Sequence, residues 1–197
     1  LELAQALKGE FVELGEGDKQ LPIDLLVWSD SHAMAALPVF DVLCKEHSIR
    51  GVAATHSGTA PLAGYDSANR LSLREDNVPF NNAVLEFIRA ERVRDVVIIA
   101  SWDLYRNSDQ GTERLRRGAL ATVNALEQAG TRIWIMRQVP KHPRDVSRDL
   151  ATAVFDGRDP DSLGLPLAKH REASRWEDSI FDGLGAANPR AVVLDPT

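Results

Sequence analysis

Serine, aspartate, serine and histidine stand side by side at positions 29–32, in the run Val27-Trp28-Ser29-Asp30-Ser31-His32-Ala33. The run falls where an apolar strand pattern, Ile23 to Trp28, gives way to a helical one from Met34 onward. A serine at such a junction can hold its hydroxyl at the carboxyl edge of a sheet, with backbone amides of the following turn aimed at any oxyanion formed there. That is the position of a nucleophile.

Such a serine needs a rigid frame. Five apolar, partly β-branched runs have strand length: Ile23–Trp28, Gly51–Thr55, Asp95–Ser101, Arg132–Val139 and Ala191–Leu194. Helical patterns lie between them, over Ala33–Glu46, Phe80–Glu91, Gly111–Ala129 and, less regularly, from Pro143 to Leu184. Strands that are nearly continuous in apolar residues and alternate with helices indicate a parallel sheet covered on both faces. The expected fold is an α/β three-layer sandwich with a mainly parallel five-stranded sheet in flavodoxin-like order. Residues 1–20 read as a lead-in and 21–197 as one domain, with the polar run Asp156 to Asp161 as a surface loop inside it. Ligands of such sheets bind beyond the carboxyl ends of the strands. The loops there are Ser29 to His32, His56 to Leu62, Ala100 to Tyr105 and Gln138 to Pro143.

Composition narrows the classes. A chain of 197 residues that is 44% hydrophobic and 26% charged suits one globular domain. Its longest wholly apolar run, Val96 to Ala100, is far short of the roughly 20 residues that span a bilayer. A net charge of −6 without a dense basic cluster argues against a nucleic-acid partner, and Arg114, Arg116 and Arg117 read as a solvated helix face. Cys44 has no internal partner for a disulfide and falls on the apolar side of its helix. No glycine-rich phosphate cradle is present, which weakens a nucleotide-binding alternative.

Ser29-Asp30-Ser31-His32 resembles the Gly-Asp-Ser-His block of the SGNH, or GDSL-like, hydrolases. The run Trp28 to Ala33, the loop Ser57 to Leu62 and the block Ala100 to Trp102 together resemble the SGNH domains fused to membrane acyltransferase-3 proteins. The resemblance covers roughly residues 21–195. It implies acyl-ester chemistry with Ser31 as catalytic nucleophile, the amides of Ser31 and Gly58 as oxyanion donors, and Ser29, Asp30 and His32 supporting the turn. Glycine suits position 58 because it permits close backbone approach and positive φ. The family's usual first glycine is Ser29 here, and its usual third-block asparagine is replaced in the stretch Ser101-Trp102. Those two residues are expected to line the substrate cleft, with Trp102 either a wall against sugar rings or a core aromatic at a strand end. No metal or organic cofactor is called for.

The family also supplies an Asp-x-x-His block after the last strand, whose histidine deprotonates the serine. No such block occurs by Thr197, and none of the five histidines replaces it convincingly. His32 directly follows the nucleophile, His56 ends a strand, His142 reads as a loop residue, and His47 and His170 read as solvated positions on helices. Either the block lies beyond Thr197, which is the favoured expectation, or the domain binds glycans without turnover. The resemblance therefore implies an extracytoplasmic acyltransferase domain with an N-terminal membrane acyltransferase partner, an acylated donor and a glycan acceptor. A free-standing carbohydrate esterase is the alternative.

Overall fold

The computed structural model describes residues 1–15, 20–106 and 109–197. Six strands form one sheet: β1 (Val12–Leu14), β2 (Leu25–Ser29), β3 (Gly51–Thr55), β4 (Asp95–Ile99), β5 (Arg132–Met136) and β6 (Ala191–Leu194). Their order is β1-β3-β2-β4-β5-β6, and every pairing is parallel except that of β1 with β3. The five parallel strands taken alone run in the flavodoxin-like order 2-1-3-4-5. The sixth, β1, comes from the lead-in and adds an antiparallel edge.

Strand alternation explains why the central strands are apolar on both sides. Leu26, Trp28, Val52, Ala54, Val96 and Ile98 face one core with Ile133 and Ile135. Leu25, Val27, Ala53, Val97 and Ile99 face the other. The first face is covered by α1 (Leu3–Leu7), α4 (Asn77–Glu91), α5 (Asp109–Gln128) and α7 (Leu167–Ala187), which contribute Ala6, Phe80, Val84, Ile88, Leu115, Leu126 and Phe181, among others. The second is covered by α2 (Ser31–Met34) and α3 (Leu37–Glu46) through Ala33, Leu37, Phe40 and Cys44.

The helical pattern expected over Ala33–Glu46 breaks in two. Ala36 is the N-cap of α3 and Pro38 sits in its first turn, where the missing amide hydrogen costs nothing. Because α2 has a single turn, no long helix dipole backs the serine turn; the donors there are individual amides. The stretch from Pro143 to Leu184 likewise resolves into α6 (Val146–Phe155), a short 3-10 turn (Pro160–Leu163) and α7. Between α6 and that turn runs the expected polar loop, with Gly157 at φ +65°.

Gly51 opens β3 with almost no room for a side chain: a Cβ there would lie 2.8 Å from Cys44 Sγ and 3.2 Å from Leu14 Cβ. This close approach lets β1 and α3 both pack on the start of the strand. Gly51→Ala is expected to destabilise the domain by about 1–3 kcal/mol in urea titration. Cys44→Ala in the same chain should recover part of that loss, because the thiol is the nearest obstacle. A double-mutant cycle without coupling would show that the crowding is absent.

Candidate active site

The carboxyl ends of β2, β3 and β4 bring three loops together. Ser29 and Asp30 are buried as β2 leaves the sheet, and Ser31, the first residue of α2, is exposed. The Ser29 hydroxyl accepts from the Ala33 amide at 3.1 Å and donates to the Asp30 carbonyl at 2.9 Å. Serine at position 29 thereby braces the turn with hydrogen bonds that a glycine could not make.

Asp30 has no solvent exposure and is the N-cap of α2. Its Oδ1 accepts from the His32 amide at 2.8 Å. Its Oδ2 accepts from the Ser101 amide at 2.9 Å and the Tyr105 hydroxyl at 2.8 Å. Burial, reinforced by the Asp30 carboxylate, pushes the Tyr105 phenol far above its ordinary range, so it acts as a fixed hydroxyl donor. The His32 ring is half-buried beside the same carboxylate, with Nδ1 3.7 Å from Oδ1.

The loop after β3 is held from α4. Asn81 donates to the carbonyls of Ala60 and Leu62, both at 2.9 Å, which leaves its Oδ1 to accept from Trp28 Nε1 at 3.3 Å. Asn77 directs its amide group at Ser67 O, Ser72 Oγ and Asp66 Oδ1, and its Oδ1 accepts from the Thr59 hydroxyl at 3.1 Å. The Thr59 oxygen then has only lone pairs to offer the Leu73 amide and His56 Nδ1, so the neutral imidazole carries its proton on Nδ1. Burial lowers the His56 pKa and favours that neutral form.

Gly58 adopts φ +66°, and a Cβ there would lie 3.1 Å from both Asn69 and the Leu71 backbone. Its conformation and its surroundings therefore both require glycine. Its carbonyl accepts from Ser67 Oγ at 2.8 Å, whereas its amide, like that of Ser31, has no internal acceptor among the described residues. Two free amides at the sheet edge that carries an exposed hydroxyl can hold the oxyanion formed when that hydroxyl attacks a carbonyl carbon.

No histidine hydrogen-bonds to Ser31 Oγ among the described residues. His56 is committed to Thr59 through Nδ1, and its Nε2 lies 4.0 Å from Glu2. His142 is a loop residue whose Nε2 bonds to Leu163 O, and His47 is exposed beyond α3. His170 differs from expectation: it is buried on α7, against Ser174, because that face of the helix turns toward the loop after β5.

Trp102 and Ser101 also require correction as cleft residues. Trp102 has no exposed surface; its Nε1 donates to Met136 O at 2.8 Å and its ring packs on Phe181, with centroids 5.0 Å apart. The 3-10 turn Trp102–Tyr105 rolls the indole inward, so it is a core aromatic. Ser101 is buried as well and contributes its backbone amide to Asp30.

Residues 4–197 match the model of the SGNH domain (fused to AT3 domains). The chain belongs to that family. Among solved structures, the SGNH domain resembles the periplasmic domain of a lipopolysaccharide acetyltransferase from Salmonella ser. Paratyphi A, with a TM-score of 0.67 over 99% of this chain and 72% of that one. At 15% identity this likeness speaks to the fold alone. No curated protein sequence matches the chain significantly.

Several residues that hold the SGNH site carry little signal at short range. Tyr105 reaches Asp30 from 75 positions away. Asn77 and Asn81 did leave a trace: two amides one helical turn apart on the side that also carries Val84 and Ile88 mark polar groups on a buried face.

A cavity of about 430 Å³ lies beside the loops after β5 and β6, lined by Arg137, Gln138, His170, Glu177 and Asp195, among others. Glu177 is fully buried at its wall; Oε2 accepts from the Gln138 amide at 2.7 Å, and Oε1 has no partner. Burial pushes its pKa up to about 7, with the charges of Asp103 and Asp178 adding to the rise and the Gln138 amide and Arg137 opposing it.

Two outcomes follow from this geometry. Trp102→Phe, which removes the bond to Met136, should lower stability by about 1–3 kcal/mol in urea titration; an unchanged midpoint would show that this bond adds nothing to the fold. Because the folded Glu177 holds its proton more tightly than an unfolded glutamate, its contribution is complete below pH 4.5 and is lost as pH rises through about 7. Glu177→Gln should remove roughly 3 kcal/mol of pH-dependent stability between about pH 4.5 and 8, and an unaltered pH profile would contradict the assignment.

Proposed function

We propose that this chain is the acyl-transferring domain of a larger membrane acyltransferase, working on the extracytoplasmic side of the membrane. The observation that carries the proposal is Ser31: an exposed hydroxyl fixed by a buried N-cap, with its own amide and that of Gly58 free at the same sheet edge. The likeness to the lipopolysaccharide acetyltransferase domain supports acetyl transfer to a surface glycan, and the family's fusion to AT3 domains supports a membrane partner that delivers the acyl group.

In this mechanism Ser31 Oγ attacks the carbonyl carbon of an acylated donor and loses its proton to a general base. The oxyanion is held by the Ser31 and Gly58 amides and collapses, expelling the donor's leaving group, which takes the proton from the base, and leaving an ester on Ser31. A glycan hydroxyl then attacks this ester and gives its proton to the same base, and collapse releases the acylated glycan and Ser31 Oγ, which takes that proton back; water in place of the glycan gives hydrolysis. The family resemblance implies a histidine of an Asp-x-x-His block as this base, and none of the five histidines is bonded to Ser31 among the described residues.

The full-length protein should transfer acyl groups to its glycan, and a fluorophosphonate probe should label Ser31, located by peptide mass spectrometry. Ser31→Ala should abolish the labelling and reduce transfer by about 10³-fold or more without loss of the folded state. Transfer that survives the substitution would remove Ser31 from the mechanism. Saturable glycan binding with no labelled serine would instead make the domain a binding module.

A further inference from the structure

We infer that Tyr105 is a positioning residue for Ser31, acting through Asp30. The inference rests on Ser31 being the nucleophile and adds a group that neither the motif nor the oxyanion pair includes. Asp30 is a fully buried carboxylate with no arginine or lysine bridged to it among the described residues. It is held by two backbone amides and a single side-chain donor, the Tyr105 hydroxyl. The amides follow from the paths of β2 and β4, so the phenol is the one donor that a substitution can remove.

Several contacts aim that phenol. Tyr105 ends the 3-10 turn that follows β4, and its carbonyl accepts from the Tyr65 hydroxyl at 2.9 Å. The two tyrosine rings meet edge to face with centroids 5.9 Å apart. The turn is pinned at its other end by Trp102 Nε1 on Met136 O. Tyr105 is itself 2% exposed, so its hydroxyl cannot turn to water instead.

Ser31 sits between Asp30, whose Oδ2 the phenol holds, and His32, whose amide Oδ1 holds. With the phenol gone, Oδ2 retains only the Ser101 amide, and rotation of the carboxylate toward another donor breaks the Oδ1 bond to His32. The turn between them then loses its fixed geometry. Because Tyr105 is separated from the exposed Ser31 hydroxyl by Asp30, a substrate would not touch it. Its loss should therefore slow acylation without weakening the encounter, since misplacing a reacting group by about 1 Å can cost on the order of 100-fold.

The test uses fluorophosphonate inactivation of the full-length protein, resolved into the first-order constant kinact and the binding constant KI. Tyr105→Phe should lower kinact roughly 10- to 100-fold, leave KI unchanged and raise amide hydrogen exchange at His32. Thr131→Val removes a fully buried hydroxyl that donates to Val93 O at the amino end of the sheet, away from the serine turn, and its kinact should stay within about threefold of wild type. A Tyr105→Phe kinact within about threefold of wild type, an equal fall in Thr131→Val, or a Tyr105→Phe protein that does not fold would each overturn the assignment while leaving Ser31 as nucleophile. A wild-type protein that is not labelled at Ser31 would overturn the nucleophile itself and Tyr105 with it.

Discussion

A carboxylate without solvent or a strong cation partner organises this domain. Burying Asp30 would be prohibitive unless each of its oxygens were satisfied, because the desolvation of an isolated charge far exceeds any single hydrogen bond. The donors that satisfy it come from three places in the chain: the turn it caps, the amide at the end of β4 and a phenol four residues later. Meeting that requirement forces β2 and β4 to end in register and draws the loop after β4 under the serine turn. The exposed position of Ser31 is a consequence, since the residues on either side of it are committed inward.

The neighbouring loop is fixed by a different device. Asn77 and Asn81 stand one turn apart at the start of α4, each with its amide nitrogen facing carbonyl, hydroxyl or carboxylate oxygens and its oxygen facing a donor. Neutral amides can satisfy several backbone groups without bringing a charge into the core, and a fully paired network is rigid. Through Trp28 and Thr59 these two side chains join the serine strand to the glycine loop, so the two candidate oxyanion amides belong to one connected frame. The apolar stretch of α4 begins where this work ends, at Ala83, Val84 and Leu85.

Much of this was legible in the sequence, because it depends on features a local pattern carries. The five parallel strands show as apolar runs, since both faces of each are covered, and the serine turn shows as a break in that periodicity. The edge strand β1 was missed because three residues, of which only Leu14 is buried, give no periodic signal. The division of α2 from α3 depends on two alanines before Pro38, which a helical pattern tolerates. Trp102 was open between cleft and core because an indole at a strand end fits either; the 3-10 turn that decides it is set by distant contacts with Met136 and Phe181. Tyr105 carries no motif at all, and its role exists only once β2 and β4 are paired.

Buried carboxylates at the two ends of the sheet show how burial and donor supply together decide what such a group does. Asp95, at the start of β4, receives Arg94, Arg132 and Trp134 Nε1, and these hold its pKa below the usual carboxylate range against the opposing effect of burial. Glu177, by the loop after β5, receives one backbone amide and is pushed up to about 7. Three donors, two of them cationic, make a carboxylate into a permanent clamp; one neutral donor leaves it a group that titrates near neutrality. The clamp lies at the amino end of the strands, where loops have only to close the fold. The under-supplied group lies at the carboxyl end, the same end of the sheet as the loops that carry Ser31 and Gly58. At that end Asp30, supplied with three neutral donors, braces the serine turn, whereas Glu177, with one, is left as a titratable group.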